Sequence, residues 1–135
     1  MLPFILAIAM QAPTPPPVQV LSREMMSQVD EPKQAVARSA AEFETLWRQH
    51  TGTTPVPAVD FGSRMVVAVF LGTRPSAGYG AEIVRTRRAA GKLIVEWQER
   101  KPGRDEVSAQ VITSPAIVAS IPKFAGEVTF EKVEK

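Results

Sequence analysis

The fold is decided by residues 66–79, which are Val66-Val67-Ala68-Val69-Phe70-Leu71-Gly72-Thr73-Arg74-Pro75-Ser76-Ala77-Gly78-Tyr79. The first six are apolar and rich in valine, which is typical of a β-strand covered on both faces. The eight that follow contain two glycines able to take positive φ, a proline that fixes φ, and a serine that can cap a turn. The sequence therefore predicts an ordered loop at the end of a buried strand. Binding and catalytic residues are often found on loops of this kind.

Most of the remaining chain predicts strands and turns. Short apolar or alternating runs, separated by Gly and Pro, predict strands at residues 18–23, 65–71, 80–86, 92–99, 107–113, 116–121 and 127–133. Residues 24–33 have no clean period and are predicted to form a loop. Turns are predicted at 87–91 and 101–105, and the prolines that bracket 116–121 favour an edge or crossover strand. We therefore expect a mainly β, small sandwich-like antiparallel domain.

One N-terminal α-helix is predicted to pack on this sandwich. Ser39 and Glu42 have the spacing of a capping box, in which each side chain accepts from the other residue's free backbone N–H. The helix should run to about residue 49, with an apolar face formed by Phe43, Leu46 and Trp47.

The chain is predicted to contain one domain after a leader. A nine-residue apolar run at 2–10, followed by small residues, favours a signal peptide at 1–12, and residues 13–17 form a proline-rich linker. Residues 18–135 are the single β-rich domain. The alternatives for the apolar run are a buried N-terminal strand and a wrongly assigned start of the chain. We expect export to the periplasm or the outside of the cell, without stable membrane insertion, because nine residues are too few to cross a bilayer.

Composition excludes several kinds of chemistry. The chain has no cysteine, which removes disulfides, thiol nucleophiles and thiolate zinc sites, and a formal charge of +2 gives no large field for nucleic acid. Its single histidine, His50, cannot build a usual metal site and is explained by the dipole at the helix end. The string Pro75-Ser76-Ala77-Gly78 is not the Gly-x-Ser-x-Gly nucleophile elbow. No cofactor or metal is predicted, and we expect a protein that is not an enzyme.

Charged residues are concentrated on one predicted hairpin. A hairpin of this kind keeps the edge of a sheet soluble, and the alternative is a patch for an acidic partner. Glu96 and Glu99 are predicted to be solvated surface. The basic residues of the hairpin are Arg85, Arg87, Arg88 and Lys92.

The loop at 72–79 is the predicted protein-binding element. Tyr79 has two possible roles: its ring packs under the loop while its hydroxyl bonds the backbone, or it faces a partner together with Arg74 and Ser76. We predict that Arg74 and Tyr79 contact the partner, that Pro75 and Gly78 fix the loop shape, and that Ser76 caps the turn. The complete predicted site is Gly72, Thr73, Arg74, Pro75, Ser76, Ala77, Gly78 and Tyr79.

Residues 65–122 resemble the C-terminal domain family of the bacterial protease complex subunit PrcB. The resemblance depends on Gly72-x-Arg74-Pro75-Ser76-x-Gly78-Tyr79 and, more weakly, on Thr113-x-Pro115. It implies a small secreted or membrane-attached β domain that acts as an adaptor or stabilising subunit of a subtilisin-like serine protease complex and has no catalysis of its own. The expected partner is therefore an exported serine protease. Family members with that role are lipoproteins, whereas this chain lacks the cysteine that a lipid anchor needs.

Two other functions remain open. The string Pro75-Ser76-Ala77-Gly78-Tyr79 is similar to the Pro-Thr-Thr-Gly-Tyr loop of chagasin-type inhibitors of cysteine proteases, which have an immunoglobulin-like sandwich. This chain has Arg74 where that family has Asn, and no Trp closely follows Tyr79. The second alternative is a small-ligand binder or an enzyme of unknown chemistry.

Overall fold

The structure, a computed structural model, describes residues 17–52 and 54–134. The predicted signal peptide at 1–12 and all but the last residue of the linker at 13–17 lie outside these described residues. The elements are β1 (Gln19–Glu24), β2 (Lys33–Ala37), α1 (Ala40–His50), β3 (Arg64–Phe70), β4 (Gly80–Ala89), β5 (Lys92–Arg100), β6 (Ala116–Pro122) and β7 (Val128–Lys132).

The strands form two sheets. The first has the order β1-β6-β3-β2 with every neighbouring pair antiparallel, and the second has the order β4-β5-β7. The predicted mainly β, sandwich-like class is confirmed. One pairing differs from the antiparallel expectation, because β7 lies parallel to β5. The chain passes through β6 in the other sheet before it returns, so β7 enters the second sheet in the same direction as β5.

Strand β3 is covered on both faces, as its apolar sequence predicts. Val66, Ala68 and Phe70 pack in one cluster with the helix, whereas Met65 and Val67 pack in another cluster with strand β5 of the second sheet. Each of these residues is at most 2% exposed. The molecule therefore has three layers, with the helix on the outer face of the first sheet and the second sheet on its inner face.

The helix begins and ends close to the predicted positions. Ser39 caps it, since the Ser39 hydroxyl accepts from the backbone N–H of Glu42 at 3.2 Å. The Glu42 carboxylate accepts from the N–H of Arg38 at 3.4 Å, one residue earlier than a reciprocal capping box requires. The helix buries Phe43, Leu46 and Trp47 as expected. No helix in 17–52 or 54–134 is both long and apolar enough to span a bilayer.

Two strand predictions are wrong. Sequence reasoning missed β2, a five-residue strand that pairs with β3, because its apolar pattern is confined to three residues behind Pro32. Conversely, the predicted strand at 107–113 is an irregular loop in which only Thr113 forms an isolated bridge. Val107 in that segment is 99% exposed. An apolar run without a neighbouring strand has no partner for its backbone.

Two further predictions about local geometry are wrong in whole or in part. The β4–β5 turn comprises only Ala90 and Gly91, with φ of 52° and 78°, because Arg87 and Arg88 still pair with β5. Strand β6 is a crossover strand, as one of the two predicted alternatives had it, but it is not an edge strand, since it lies between β1 and β3. Pro122 is its last residue, so the missing N–H does not interrupt the ladder.

Candidate protein-binding face

The loop at 72–79 is held by backbone hydrogen bonds to the segment that precedes β6. Arg74 and Thr113 exchange two N–H···O bonds of 2.8 and 2.9 Å, which is the pattern of an isolated antiparallel bridge. Farther along, the N–H of Ala77 donates to the carbonyl of Ala109 at 3.0 Å. The loop is therefore ordered by a second loop, although sequence reasoning expected a strand at that place.

The two glycines of the loop take positive φ, as predicted. Gly72 has a φ of 82°, and a Cβ there would lie 2.8 Å from Cδ of Pro32. Gly78 has a φ of 96°, and a Cβ there would lie 2.9 Å from both Pro102 Cβ and Ser108 Oγ. Each glycine thus combines a left-handed backbone with a close approach by a neighbouring segment. These contacts explain why the loop contains glycine at both positions.

The side chain of Arg74 is engaged inside the protein. Its Nε donates to Oε2 of Glu99 at 2.9 Å and its Nη2 donates to Oε1 at 3.2 Å, while Nη1 donates to the carbonyls of Leu71 and Thr73. The side chain of Arg74 is 24% exposed and that of Glu99 is 5% exposed. The hydrogen bond between them raises the pKa of Arg74 and lowers the pKa of Glu99. Arg74 therefore anchors the loop to β5, a role that sequence reasoning did not predict.

Tyr79 is half-buried at the end of the same loop. The Arg74 guanidinium lies 6.0 Å from the centre of its ring. The ring borders a groove of about 290 Å³ together with Met25 and Glu82. In the part of the chain that the structure describes, the phenol has no hydrogen bond to the backbone, so that predicted contact is not formed there. The groove leaves the ring within reach of a bound partner.

The other loop residues divide between internal contacts and solvent. The hydroxyl of Ser76 donates to the carbonyl of Ala77 at 3.0 Å, while the carbonyl of Ser76 accepts from the hydroxyl of Thr113. Thr73 and Pro75 are exposed. The loop therefore presents a small, rigid outer surface rather than a set of long polar side chains.

Exposed apolar side chains surround this loop. Residues 25–26 lie beside it because the N–H of Ser114 donates to the carbonyl of Met25 at 3.0 Å, next to the bridge between Arg74 and Thr113. We call residues 25–26, 72–79 and 107–112 the loop face. Its large exposed apolar residues are Val107 (99%), Ile112 (68%), Met26 (56%), Met25 (44%) and Val111 (41%).

Apolar side chains grouped in this way mark interaction surfaces on soluble proteins. The large exposed apolar residues elsewhere in the described chain are Val20, Val56 and Val84, each on a different element or loop. Sequence reasoning missed the loop face because it assigned 107–113 to a strand. The available signal was the pair Met25-Met26 in a segment without hydrophobic periodicity.

His50 belongs to the core. It is 0% exposed, and its Nε2 lies 3.0 Å from the hydroxyl of Ser22 while its Nδ1 lies 2.7 Å from that of Ser27. Burial lowers the pKa of His50, against an opposing effect of Glu24. The helix-dipole interpretation is therefore wrong, since it requires a charged imidazole and the site favours the neutral one. Within the described ranges, no three His, Asp or Glu side chains are grouped to hold a metal ion.

The charged hairpin is largely compensated by carboxylates. Arg85 Nε donates to Oε2 of Glu96 at 2.7 Å, and Arg87 Nε lies 3.5 Å from the same oxygen. Arg87 also contacts Glu131 at 3.0 Å. Glu96 is only 6% exposed, and its hydrogen bond from Arg85 lowers its pKa. The prediction that Glu96 and Glu99 are solvated surface is wrong. The pairing on the β4 edge agrees with a hairpin that protects a sheet edge.

Comparison with known families finds a match for the central part of the chain. Residues 65–122 match the family model described as PrcB C-terminal, which confirms the resemblance seen in the sequence. The match spans β3 to β6 and includes both loops that form most of the loop face. No curated protein and no solved structure matches the chain.

Proposed function

We propose that this protein is an exported, non-enzymatic binding subunit that docks on an exported serine protease through the loop face. The match of residues 65–122 to the PrcB C-terminal family supports association with a protease complex. The observation that carries the proposal is the position of the exposed apolar residues. They surround the loop at 72–79, which is the most specific part of the family resemblance.

The order of the loop favours a binding role. Two glycine contacts, the bridge from Arg74 to Thr113 and the ion pair with Glu99 hold the loop in one conformation. A loop that is already ordered loses little conformational entropy when a partner binds. The neighbouring methionines are flexible and polarisable, so they adapt to the partner surface. Rigid and adaptable contacts therefore lie side by side.

The proposed contacts differ in part from those expected from the sequence. Arg74 acts mainly as a positioning residue, because most of its donors are occupied within the protein. Tyr79 remains a contact residue, and Met26 and Ile112 join it. These side chains supply apolar area, which drives most protein association.

The test is capture of an active serine protease by the mature protein. The tagged chain is incubated with the periplasmic and secreted fractions of its source cells, and bound serine proteases are labelled with an active-site fluorophosphonate and identified by mass spectrometry. Val111→Glu should reduce capture at least about tenfold, since it places a charge in the apolar interface. Val56→Glu is the matched control, because both valines are 41% exposed in loops. Equal capture by the two variants would refute the loop face as the docking site.

A second measurement separates a subunit from an inhibitor. The captured protease is assayed with a fluorogenic peptide, and papain is assayed in parallel with the free protein. We expect the protease to retain or gain activity and papain to be unaffected. Inhibition of papain at stoichiometric concentration would instead support the chagasin-type alternative. Export is tested separately by the N-terminal sequence of the protein recovered outside the cytoplasm.

A further inference from the structure

A cleft lies beside the loop face, between the edges of the two sheets. It has a volume of about 420 Å³, within the range of sites that hold small ligands or single peptide side chains. Its walls come from β2, the end of β3, β5, β7 and the loop at 72–79. The residues that line the cleft include Lys33, Gln34, Leu71, Arg74, Trp97 and Lys132.

The cleft lies between one end of β2 and one end of β7. They are the outer strands of their sheets on the same side of the sandwich. Arg38, just after β2, donates to the carbonyls of Phe124 and Gly126, just before β7. At the opposite end, Lys33 begins β2 and Lys132 ends β7, and the cleft lies between them. The core side chain Trp97 forms part of its wall.

The cleft carries excess positive charge. Lys33, Arg74 and Lys132 line it, and the carboxylate of Glu99 accepts from both Arg74 and Lys132, the latter at 3.2 Å. The ammonium of Lys33 donates to the neutral amide of Gln49 at 3.2 Å. Three basic side chains thus line the cleft, and Lys33 also borders a neighbouring groove with Asp30 and Glu31. Because lysine and arginine donate hydrogen bonds and accept none, the cleft is suited to a ligand that only accepts them.

An independent observation comes from the indole of Trp97. Trp97 is 8% exposed, and its Nε1–H is buried without an acceptor among the described residues. A buried donor without a partner is costly, and native proteins contain few of them. The ammonium of Lys132 lies 5.5 Å from the centre of the same ring. Because Nε1 has no solvent-exposed surface, a ligand in the cleft would meet the indole ring and the ammonium of Lys132 rather than this nitrogen.

We propose that this cleft binds a carboxylate of a partner peptide, either an acidic side chain or a C-terminal carboxylate. A carboxylate supplies two acceptor oxygens and a negative charge, which would offset the excess of basic side chains in the cleft. The apolar walls formed by Leu71 and Phe70 suit a carboxylate that is followed or preceded by an apolar residue. The identity of the peptide as a segment of the docked protease rests on the proposed function, whereas carboxylate binding itself does not.

The test is a titration of the full-length protein, observed through the indole N–H signals of its two tryptophans in ¹H–¹⁵N NMR spectra. Three N-acetylated peptides are used: Ala-Val-Glu-Leu-Val-Ala with an amidated C-terminus, the same peptide with Gln in place of Glu, and the Gln peptide with a free C-terminal carboxylate. We expect a saturable shift of the Trp97 signal with at least one carboxylate peptide and none with the neutral one, because the ring of Trp97 lines the cleft. The Trp47 signal should remain unchanged, because that indole donates to the carbonyl of Thr54. The responding peptide identifies the source of the carboxylate.

Three variants relate binding to the cleft. Lys33→Gln and Lys132→Gln should each weaken the binding of the responding peptide about tenfold, since each removes a charge-assisted donor. Lys123→Gln, an exposed lysine at the closed end of the sandwich, should bind as the wild type does. Equal binding of the neutral peptide, or no weakening by either lysine variant, would refute the proposal.

The outcome is separable from that of the proposed function. If the double variant Lys33→Gln/Lys132→Gln captures the protease as well as wild type does and the peptides do not shift Trp97, the cleft proposal fails while the proposed function stands. If no protease is captured but the Trp97 signal still shifts with a carboxylate peptide, the proposed function fails and carboxylate binding stands.

Discussion

Arg74 and Glu99 join the loop after β3 to strand β5 through two nearly parallel hydrogen bonds, of 2.9 and 3.2 Å. Glu99 is the more buried partner, at 5% side-chain exposure. The same arginine donates to two carbonyls of its own loop. One side chain therefore determines both the shape of the loop and its position on the second sheet.

Replacement of Arg74 should destabilise the protein. Arg74→Ala leaves the buried carboxylate of Glu99 with only Lys132 and should lower the free energy of unfolding by about 2 kcal/mol. Arg100→Ala is the control, because its pair with Glu106 is 3.5 Å long and exposed. That change should cost less than about 0.5 kcal/mol. Urea denaturation measures the free energy of unfolding of both variants. Equal midpoints would show that the ion pair between Arg74 and Glu99 is unimportant for stability.

Stability should fall as the pH is lowered past the ordinary pKa of histidine. The pKa of His50 is below 6.5 in the folded protein because the imidazole is buried. The unfolded chain therefore binds a proton that the folded chain does not, beginning near pH 6.5. The free energy of unfolding should decrease below that pH, down to the folded pKa, by at most about 1.4 kcal/mol per pH unit. Urea denaturation at several values between pH 7.5 and pH 5, chosen at about half-unit steps, measures this slope.

The control for this prediction is His50→Gln. Because the chain has one histidine, this variant removes the only imidazole. It should be less stable than wild type at pH 7 and should lose most of the slope above pH 5. A slope that persists in the variant would show that another group is responsible.

Protonation of Glu99 should cause a second loss of stability at lower pH. The hydrogen bond from Arg74 lowers its folded pKa below 4.5, so the ionised carboxylate stabilises the fold above that pH. This contribution is lost as the pH falls through the folded pKa. Glu99→Gln should therefore show a shallower decrease in unfolding free energy below pH 4.5 than wild type. Glu44→Gln, which removes an exposed pair with Arg48, should reproduce the wild-type profile. Parallel profiles for all three proteins would contradict this prediction.

The glycine at the start of the loop should tolerate no side chain. Gly72→Ala combines an unfavourable positive φ with contacts of 2.8 Å to Pro32 Cδ and 2.9 Å to its backbone nitrogen. We expect a loss of about 3 kcal/mol, part from strain and part from overpacking. Gly91→Ala is the matched control, since Gly91 also has positive φ, of 78°, but has open space around it. Its cost should be about 1 kcal/mol. Thermal unfolding compares the two, and similar losses would exclude the contact with Pro32 as the cause.

Local patterns predicted those parts of the fold that depend on local chemistry. The helix follows from Ser39 and its apolar face, and the burial of β3 follows from six consecutive apolar residues. The location of β6 did not follow, because its flanking prolines describe its ends and not its neighbours. Strand β2 was missed because pairing with β3, rather than its own sequence, makes it a strand. Sheet order is a long-range property that no window of sequence contains.

The candidate site, like the fold, was predicted only in part. Residues 72–79 were identified correctly as an ordered loop, since glycine and proline restrict the backbone directly. The internal role of Arg74 required knowledge that Glu99, 25 residues later, lies opposite it. The exposure of Ile112 and Met26 could be predicted only with the knowledge that residues 107–112 form no strand. Residues brought together by tertiary contacts remained outside the reach of sequence reasoning.

The position of β6 between β1 and β3 has a consequence for the order of events during synthesis. Strand β1 leaves the ribosome early, yet the strand that pairs with it among the described residues comes much later in the chain, as in the pairing of Gln19 with Ser120. The first sheet therefore cannot close while the chain is still growing through its first four strands. During synthesis the most apolar strand, β3, cannot pair with β6 until residue 122 has emerged from the ribosome. Chaperones should therefore bind the nascent chain most strongly during that interval.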